Sequence, residues 1–99
     1  MLVRILKTFM KTFKDLDFKK IQYPLLAAIE AKMHFDNGYG VSVVMTEGTL
    51  AYQRGLWEVG ILYAGELTKD SGVTDEGAEV VYDQNEEGVT ELMKKVQAL

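Results

Sequence analysis

Apolar and polar residues alternate strictly over two neighbouring segments near the middle of the chain, residues 27–35 and 39–46. A period of two places successive side chains on opposite faces, which is typical of a strand with one buried face. The pattern collects nine apolar side chains on one face of these segments: Ala27, Ile29, Ala31, Met33, Phe35, Tyr39, Val41, Val43 and Met45. We therefore predict two strands, residues 25–35 and 39–46, that share a buried face.

The residues between these strands decide how the strands pair. A two-residue turn at Asn37-Gly38, which this dipeptide usually favours, would put the two apolar sets on opposite faces. A three-residue loop over residues 36–38 instead pairs Phe35 with Tyr39, and both apolar sets then share one face. Gly38 supplies the left-handed residue that such a loop needs. We predict the three-residue loop.

A third strand is predicted over residues 56–63, with Trp57, Val59, Ile61 and Tyr63 on the buried face. A three-residue loop over residues 63–65 would set Ile61 opposite Leu67 and start a fourth strand over residues 66–69. Residues 17–24, 47–55 and 70–77 are rich in polar residues or glycine, or contain the proline, and are predicted to be connections. Residues 79–82 fit either a short strand or one turn of helix.

Two segments have helical spacing instead. Residues 1–16 place apolar side chains at positions 2, 5, 6, 9, 13 and 16, opposite a basic face. We expect this helix to pack on the sheet or on a second subunit. The alternatives are a helix on a membrane surface and a cleaved targeting segment, although the segment has no unbroken apolar core and no small-residue cleavage site. Residues 86–98 form the second helix, capped by Asp83 or Asn85, with a Glu91–Lys95 ion pair. Its buried stripe is Val89, Leu92, Met93 and Val96.

These elements predict an α+β fold: an antiparallel β-meander of about four strands, with an N-terminal amphipathic helix and a C-terminal helix packed on the sheet. The chain of 99 residues is predicted to be a single domain, residues 1–99. Met10 is a second methionine, so residues 1–9 are a candidate N-terminal extension. No stretch is long and apolar enough to span a bilayer.

Charge and composition narrow the chemistry. Residues 1–34 carry seven Lys and Arg against three Asp and Glu, whereas residues 35–99 carry four against twelve, giving the net charge of −4. There is no cysteine and one histidine, His34, which excludes Cys-ligated and multi-histidine metal sites. A general base would need a carboxylate to orient it, and only Asp36 or Glu30 could serve His34. We therefore predict no catalytic residue, metal or cofactor, and a protein that is not an enzyme.

Four segments resemble a group of small uncharacterised bacteriophage-encoded proteins. They are Met10–Leu16 (MKTFKDL), the hairpin Phe35–Val44 (FDNGYGVSVV) with the following Trp57-Glu58-Val59, and Val89–Leu99 (VTELMKKVQAL). The resemblance covers residues 10–99 and departs most at residues 46–56. It implies a phage or prophage origin and a cytoplasmic site of action in the infected bacterium. The group has no assigned activity, so the resemblance implies no site residue.

The predicted outer face of the sheet is less polar than a face in contact with water should be, which indicates self-association or a partner protein. We therefore expect a non-enzymatic protein–protein interaction module that forms a dimer or larger and acts on a host or viral protein. The candidate interface residues are Val44, Tyr52, Leu56, Trp57 and Leu62. The alternative is a nucleic-acid-binding module using the basic N-terminal segment. Its candidate contacts are Arg4, Lys7, Lys11, Lys14, Lys19 and Lys20.

Overall fold

The computed structural model describes residues 10–22 and 24–99. Within them an antiparallel sheet of six strands carries two α-helices and a short 3-10 turn. The strands are β1 (Lys19–Gln22), β2 (Ala27–His34), β3 (Tyr39–Thr46), β4 (Trp57–Tyr63), β5 (Glu66–Leu67) and β6 (Val80–Gln84). The helices are α1 (Leu50–Arg54) and α2 (Glu86–Gln97), and the 3-10 turn is Phe13–Asp15. The predicted α+β class is confirmed, but the prediction of about four strands was wrong.

The extra strands lie at the two edges of the predicted meander. Strands β1 to β4 pair in chain order, and the far edge of β4 is shared by β5 and β6. β5 pairs near the end of β4, at Leu62, whereas β6 pairs near its beginning, from Trp57 to Gly60. Residues 17–24 were predicted as a connection because their polar composition and Pro24 hide the four-residue strand β1. Residues 79–82, which fitted either a strand or a helical turn, lie largely in β6.

The central hairpin has the predicted register. Met33 lies opposite Val41, and the Phe35 N–H donates to the Tyr39 carbonyl at 2.8 Å, which leaves residues 36–38 as the loop. Gly38 has φ +88°, the left-handed conformation expected of it. Because the two apolar sets share a face, this register gives the sheet its core side.

The register predicted for the next hairpin was wrong by one residue. Leu67 lies opposite Leu62 rather than Ile61, because the connection is a two-residue turn at Ala64-Gly65. Both turn residues have positive φ, 52° at Ala64 and 86° at Gly65, as a type I′ turn requires. A one-residue shift moves a side chain to the other face. Leu67 therefore lies on the outer side of the sheet.

Helix α2 covers the core side, as predicted. The buried cluster joins the middle of β3 and β4 to one stripe of α2, and it consists of Val41, Val43, Val59, Ile61, Val89, Leu92, Met93 and Val96. The Asn85 side chain accepts a hydrogen bond from the Gly88 N–H at 2.8 Å and caps the helix. Glu91 approaches Lys94 at 3.9 Å rather than pairing with Lys95. The four predicted stripe residues are all buried.

The predicted N-terminal helix is not supported. Residues 1–9 lie outside the described residues, and residues 10–18 contain only the 3-10 turn Phe13–Asp15. This segment packs on the core side beside α2: Phe13 and Phe18 contact Trp57, with ring centroids 5.6 and 4.4 Å away. Phe13, one of the apolar positions that suggested a helix, packs instead with Phe18 from the predicted connection on one tryptophan.

Residues 47–55 were predicted to be a loop, but five of them form α1. The Thr49 hydroxyl accepts a hydrogen bond from the Tyr52 N–H at 3.1 Å, which caps the start of this helix. Gly55 ends the helix with φ +69°. Both signals are present in the sequence, but the helix is too short to show a helical period.

Candidate functional site

The side of the sheet opposite α2, called the outer face below, is covered only partly by the described residues. Cross-strand pairing aligns Lys19, Glu30, Val44 and Glu58 in one row across β1 to β4. The neighbouring row places Lys32 beside Ser42 and Gly60. This face therefore combines charged residues of both signs with small and apolar ones.

Two apolar residues of the outer face are already buried within it. Ala28 is 2% exposed and Leu62 is 4% exposed. The Leu67 side chain lies over Gly60: its Cδ2 atom is 2.7 Å from the point where a Cβ on that glycine would stand. Leu67 itself remains about half exposed. The shifted register of β5 thus covers one corner of the face, and Val44 near the centre stays half-buried.

His34 is exposed at the end of the outer face and makes no side-chain hydrogen bond among the described residues. The carboxylate of Glu30 instead accepts a hydrogen bond from the Ser42 hydroxyl at 3.1 Å. Asp36 lies in the hairpin loop. Neither candidate carboxylate therefore orients the imidazole in this structure.

The five residues predicted as an interface do not form one surface. Val44 and Leu62 lie on the outer face, whereas Trp57 packs against Phe13 and Phe18 on the core side. Tyr52 belongs to α1 and is exposed, and Leu56, which follows α1, is half-buried. Of the five, Val44 is the residue that the structure leaves partly accessible at the centre of a sheet face.

Exposed leucines that were not among the predicted interface residues lie where β2 begins and β3 ends. Leu25 is 93% exposed and Leu50 is 67% exposed. Leu26 is also exposed, and its Cδ2 atom is 3.5 Å from where a Cβ on Gly48 would stand. The sequence feature that could have indicated these exposed leucines is the Leu-Leu pair directly after Pro24, just before the alternating pattern starts.

The strongest charge feature is the acidic segment, residues 70–91. It contains eight carboxylates and no Lys or Arg. Seven of the eight are exposed: Asp70, Asp75, Glu76, Asp83, Glu86, Glu87 and Glu91. Within the described part of the chain the only ion pair of this segment is Glu91 with Lys94, at 3.9 Å. The segment therefore displays a largely uncompensated negative charge.

A shallow groove lies between the 3-10 turn and the first half of α2. Its lining is Thr12, Phe13, Lys14, Glu86, Glu87, Thr90 and Glu91. The two walls are joined by hydrogen bonds: the Phe13 N–H donates to the Thr90 hydroxyl at 3.0 Å, and Gln97 exchanges two bonds with the Lys11 backbone, both 2.8 Å. The groove is therefore lined by the aromatic ring of Phe13 and by three carboxylates, and it adjoins the rest of the acidic segment.

The six cations predicted to contact nucleic acid are not gathered by the structure. Arg4 and Lys7 lie outside the described residues. Lys14 lines the groove among three glutamates. Lys19 and Lys20 are successive residues of β1, so their side chains lie on opposite faces of the sheet. The described cations therefore do not form one basic patch.

The described residues contain no group of three or more His, Asp or Glu arranged to hold a metal ion. None of their helices has the length and apolar character needed to cross a membrane. The chain matches no protein-family model, no curated protein and no solved structure.

Proposed function

We propose that this protein is a non-enzymatic protein–protein interaction module whose acidic segment binds a basic surface of another protein. The partner class follows from charge, because a negative surface attracts proteins with positive ones and raises their association rate. The resemblance to small phage proteins suggests that the partner is a host or viral protein in the bacterial cytoplasm. A protein that normally binds nucleic acid is the partner type whose charge fits best.

The single observation that carries the proposal is the exposure of seven carboxylates within residues 70–91 with only one ion pair among them. Keeping like charges together on a surface costs folding free energy through mutual repulsion. The chain carries exposed Lys residues elsewhere, but none within this segment, where they could neutralise the carboxylates. The retained charge supports a role in binding.

Nucleic acid as the partner has weaker support. A protein that binds phosphates needs several cations on one surface, because each neutralised phosphate adds to the affinity. Lys19 and Lys20 diverge to opposite faces, and Lys14 lies among Glu86, Glu87 and Glu91. If this alternative holds, Lys11→Glu with Lys14→Glu will weaken a complex seen in a gel shift at low salt.

The test compares two variants of equal charge as baits in a bacterial lysate. The amide variant carries Asp75→Asn, Glu76→Gln and Asp83→Asn, all within the acidic segment. The control variant carries Asp36→Asn, Glu47→Gln and Glu66→Gln, exposed carboxylates outside it. Each set of three changes raises the net charge from −4 to −1. Bound proteins are quantified by mass spectrometry, with and without added duplex DNA as a competitor.

We expect partners of the wild-type protein to be lost by the amide variant, retained by the control variant and displaced by DNA. Equal loss with both variants would show a dependence on net charge alone. Equal retention by both would show that the acidic segment is not the binding surface. Either result contradicts the proposal.

A further inference from the structure

We propose that the outer face of the sheet binds the same face of a second copy of this chain, giving a two-sheet dimer with two-fold symmetry. The inference goes beyond the proposed function, because it concerns a different surface and a different partner. It is carried by the row Lys19, Glu30, Val44 and Glu58, which crosses the face from β1 to β4.

Both free edges of the sheet carry features that oppose pairing with another strand. The edge strand β1 contains Lys19 and Lys20, and lysine on an edge discourages strand addition. On the other side, β6 has a bulge opposite Glu58, where Asp83 takes a left-handed φ of 56°. A partner that meets this sheet is therefore favoured on a face rather than on an edge.

The outer face suits a flat contact. Gly40 has no side chain, Ala28 is small, and Val44 lies half-buried on β3, while Leu67 covers Gly60 at one corner. Strands β1 to β4 have 4, 8, 8 and 7 residues. With strands spaced about 4.8 Å apart and a rise of about 3.3 Å per residue, they give a patch of about 430 Å² before side-chain relief is added. A standard interface buries about 800 Å² per partner. The face is therefore smaller than a standard interface, and we expect the dimer to be weak.

The charges of the row are self-complementary under one particular symmetry. A two-fold axis that runs along the strands, between β2 and β3, places β1 of one copy over β4 of the other. Lys19 then lies over Glu58 of the second copy, and the symmetry repeats this pair at the other end of the row. Within one chain Lys19 and Glu58 are three strand spacings apart, about 14 Å, so they do not pair with each other.

Charge on the rest of the molecule opposes other modes of self-association. The chain carries a net charge of −4, and the acidic segment would repel a second copy of itself. On the outer face Lys19 and Lys32 balance Glu30 and Glu58, so contact there brings no like-charge cost. This local neutrality favours the outer face over the other surfaces as the dimer contact.

The test is a charge-reversal cycle followed by analytical ultracentrifugation of the full chain over a range of concentrations. Lys19→Glu and Glu58→Lys each put like charges together at both ends of the row. We expect each to raise the dissociation constant of the dimer at least about tenfold. The double variant, which restores opposite charges and the original net charge, should recover most of the wild-type affinity.

The controls are matched by position. Lys20→Glu makes the same change on the same strand but on the opposite face, and Glu66→Lys reverses an exposed carboxylate in β5. Both should leave the dimer unchanged, and circular dichroism verifies that every variant is folded. A wild-type protein that stays monomeric overturns the proposal. A dimer that is insensitive to Lys19→Glu also overturns it. None of these results bears on the acidic segment, which the bait experiment tests separately.

Discussion

Asn37 is the residue that joins the central hairpin to helix α2. Its side-chain oxygen accepts a hydrogen bond from the Tyr39 N–H at 3.0 Å, inside the loop. Its amide nitrogen donates to the carbonyls of Val96 at 2.9 Å and Leu99 at 3.2 Å. The last carbonyls of a helix have no partner within the helix, so an external donor satisfies them. One side chain therefore sets the loop and fixes the end of the helix over the core.

Replacing Asn37 by Asp tests this role. The carboxylate keeps the acceptor for Tyr39 but loses both donors, and it brings a negative charge to the negative end of the α2 dipole. We expect the free energy of unfolding at pH 7 to fall by about 2 kcal/mol relative to the wild type. Urea unfolding followed by circular dichroism measures the loss, and Gln53→Glu adds the same charge at an exposed control position.

The pH dependence of that loss identifies its cause. The carbonyls beside the introduced carboxyl would raise its pKa in the folded state above the value of about 3.9 found in unfolded chains. The loss is then complete above the folded pKa and shrinks as the pH falls below it, because the protonated group donates again. A loss that is the same at pH 3 and pH 7 would show that charge plays no part.

Among the elements, the two hairpins show what the sequence could and could not predict. In the first, Phe35 and Tyr39 begin apolar sets on both strands, and only one register places both sets on one face. In the second, β5 has two residues and a single apolar one, Leu67, so the same argument rests on one side chain. The left-handed conformation of Ala64 also lies outside what its residue type suggests.

The left-handed Ala64 leads to a stabilising prediction. A type I′ turn prefers Asn at its first central position, because Asn tolerates positive φ better than Ala. Ala64→Asn should therefore raise the free energy of unfolding by about 0.5 kcal/mol, a gain of the size given by other changes that fit the local backbone. Urea unfolding measures it. Ala98→Asn, at an exposed position with φ −86°, is the control and should have little effect. Equal effects of the two changes would contradict the assigned turn.

The helices also differ in how far the sequence could predict them. Helix α2 was predicted because four apolar residues repeat along twelve positions and Asn85 caps them. Of the six apolar positions of the N-terminal pattern, only Phe13 and Leu16 lie within the described residues. Their spacing fits both a helix and the observed 3-10 turn. Helix α1 was missed because five residues are too few for periodicity, and only its caps, Thr49 and Gly55, marked it. Helix α2 could be predicted because an apolar repeat and a cap residue agree, whereas an apolar repeat alone was not sufficient at the N-terminal segment.

At the scale of the whole molecule, negative charge is concentrated in the acidic segment, whereas the outer face combines charges of both signs with apolar residues. The acidic excess of residues 35–99 was visible in the sequence, but its concentration on an exposed segment required the fold. The apolar residues predicted as an interface do not lie together, because Trp57 packs against Phe18 on the core side and Leu62 is buried within the outer face. Pairing across strands, which no single segment reveals, brought Lys19 and Glu58 into one row.

Repulsion within the acidic segment should make the stability of the fold depend on salt. The Debye length falls from about 10 Å at 0.1 M to about 3 Å at 1 M, so added NaCl screens exposed carboxylates from one another. We expect the free energy of unfolding of the wild type to rise over this range.

The rise should be smaller in the amide variant (Asp75→Asn, Glu76→Gln, Asp83→Asn), which removes three of the seven exposed charges. The control variant of equal net charge (Asp36→Asn, Glu47→Gln, Glu66→Gln) should keep most of it. Urea unfolding at each salt concentration measures the free energy of unfolding of all three proteins. An equal dependence on salt in all three would mean that the exposed carboxylates of the acidic segment do not destabilise the folded protein. The charge of this segment would then be no evidence for a role in binding.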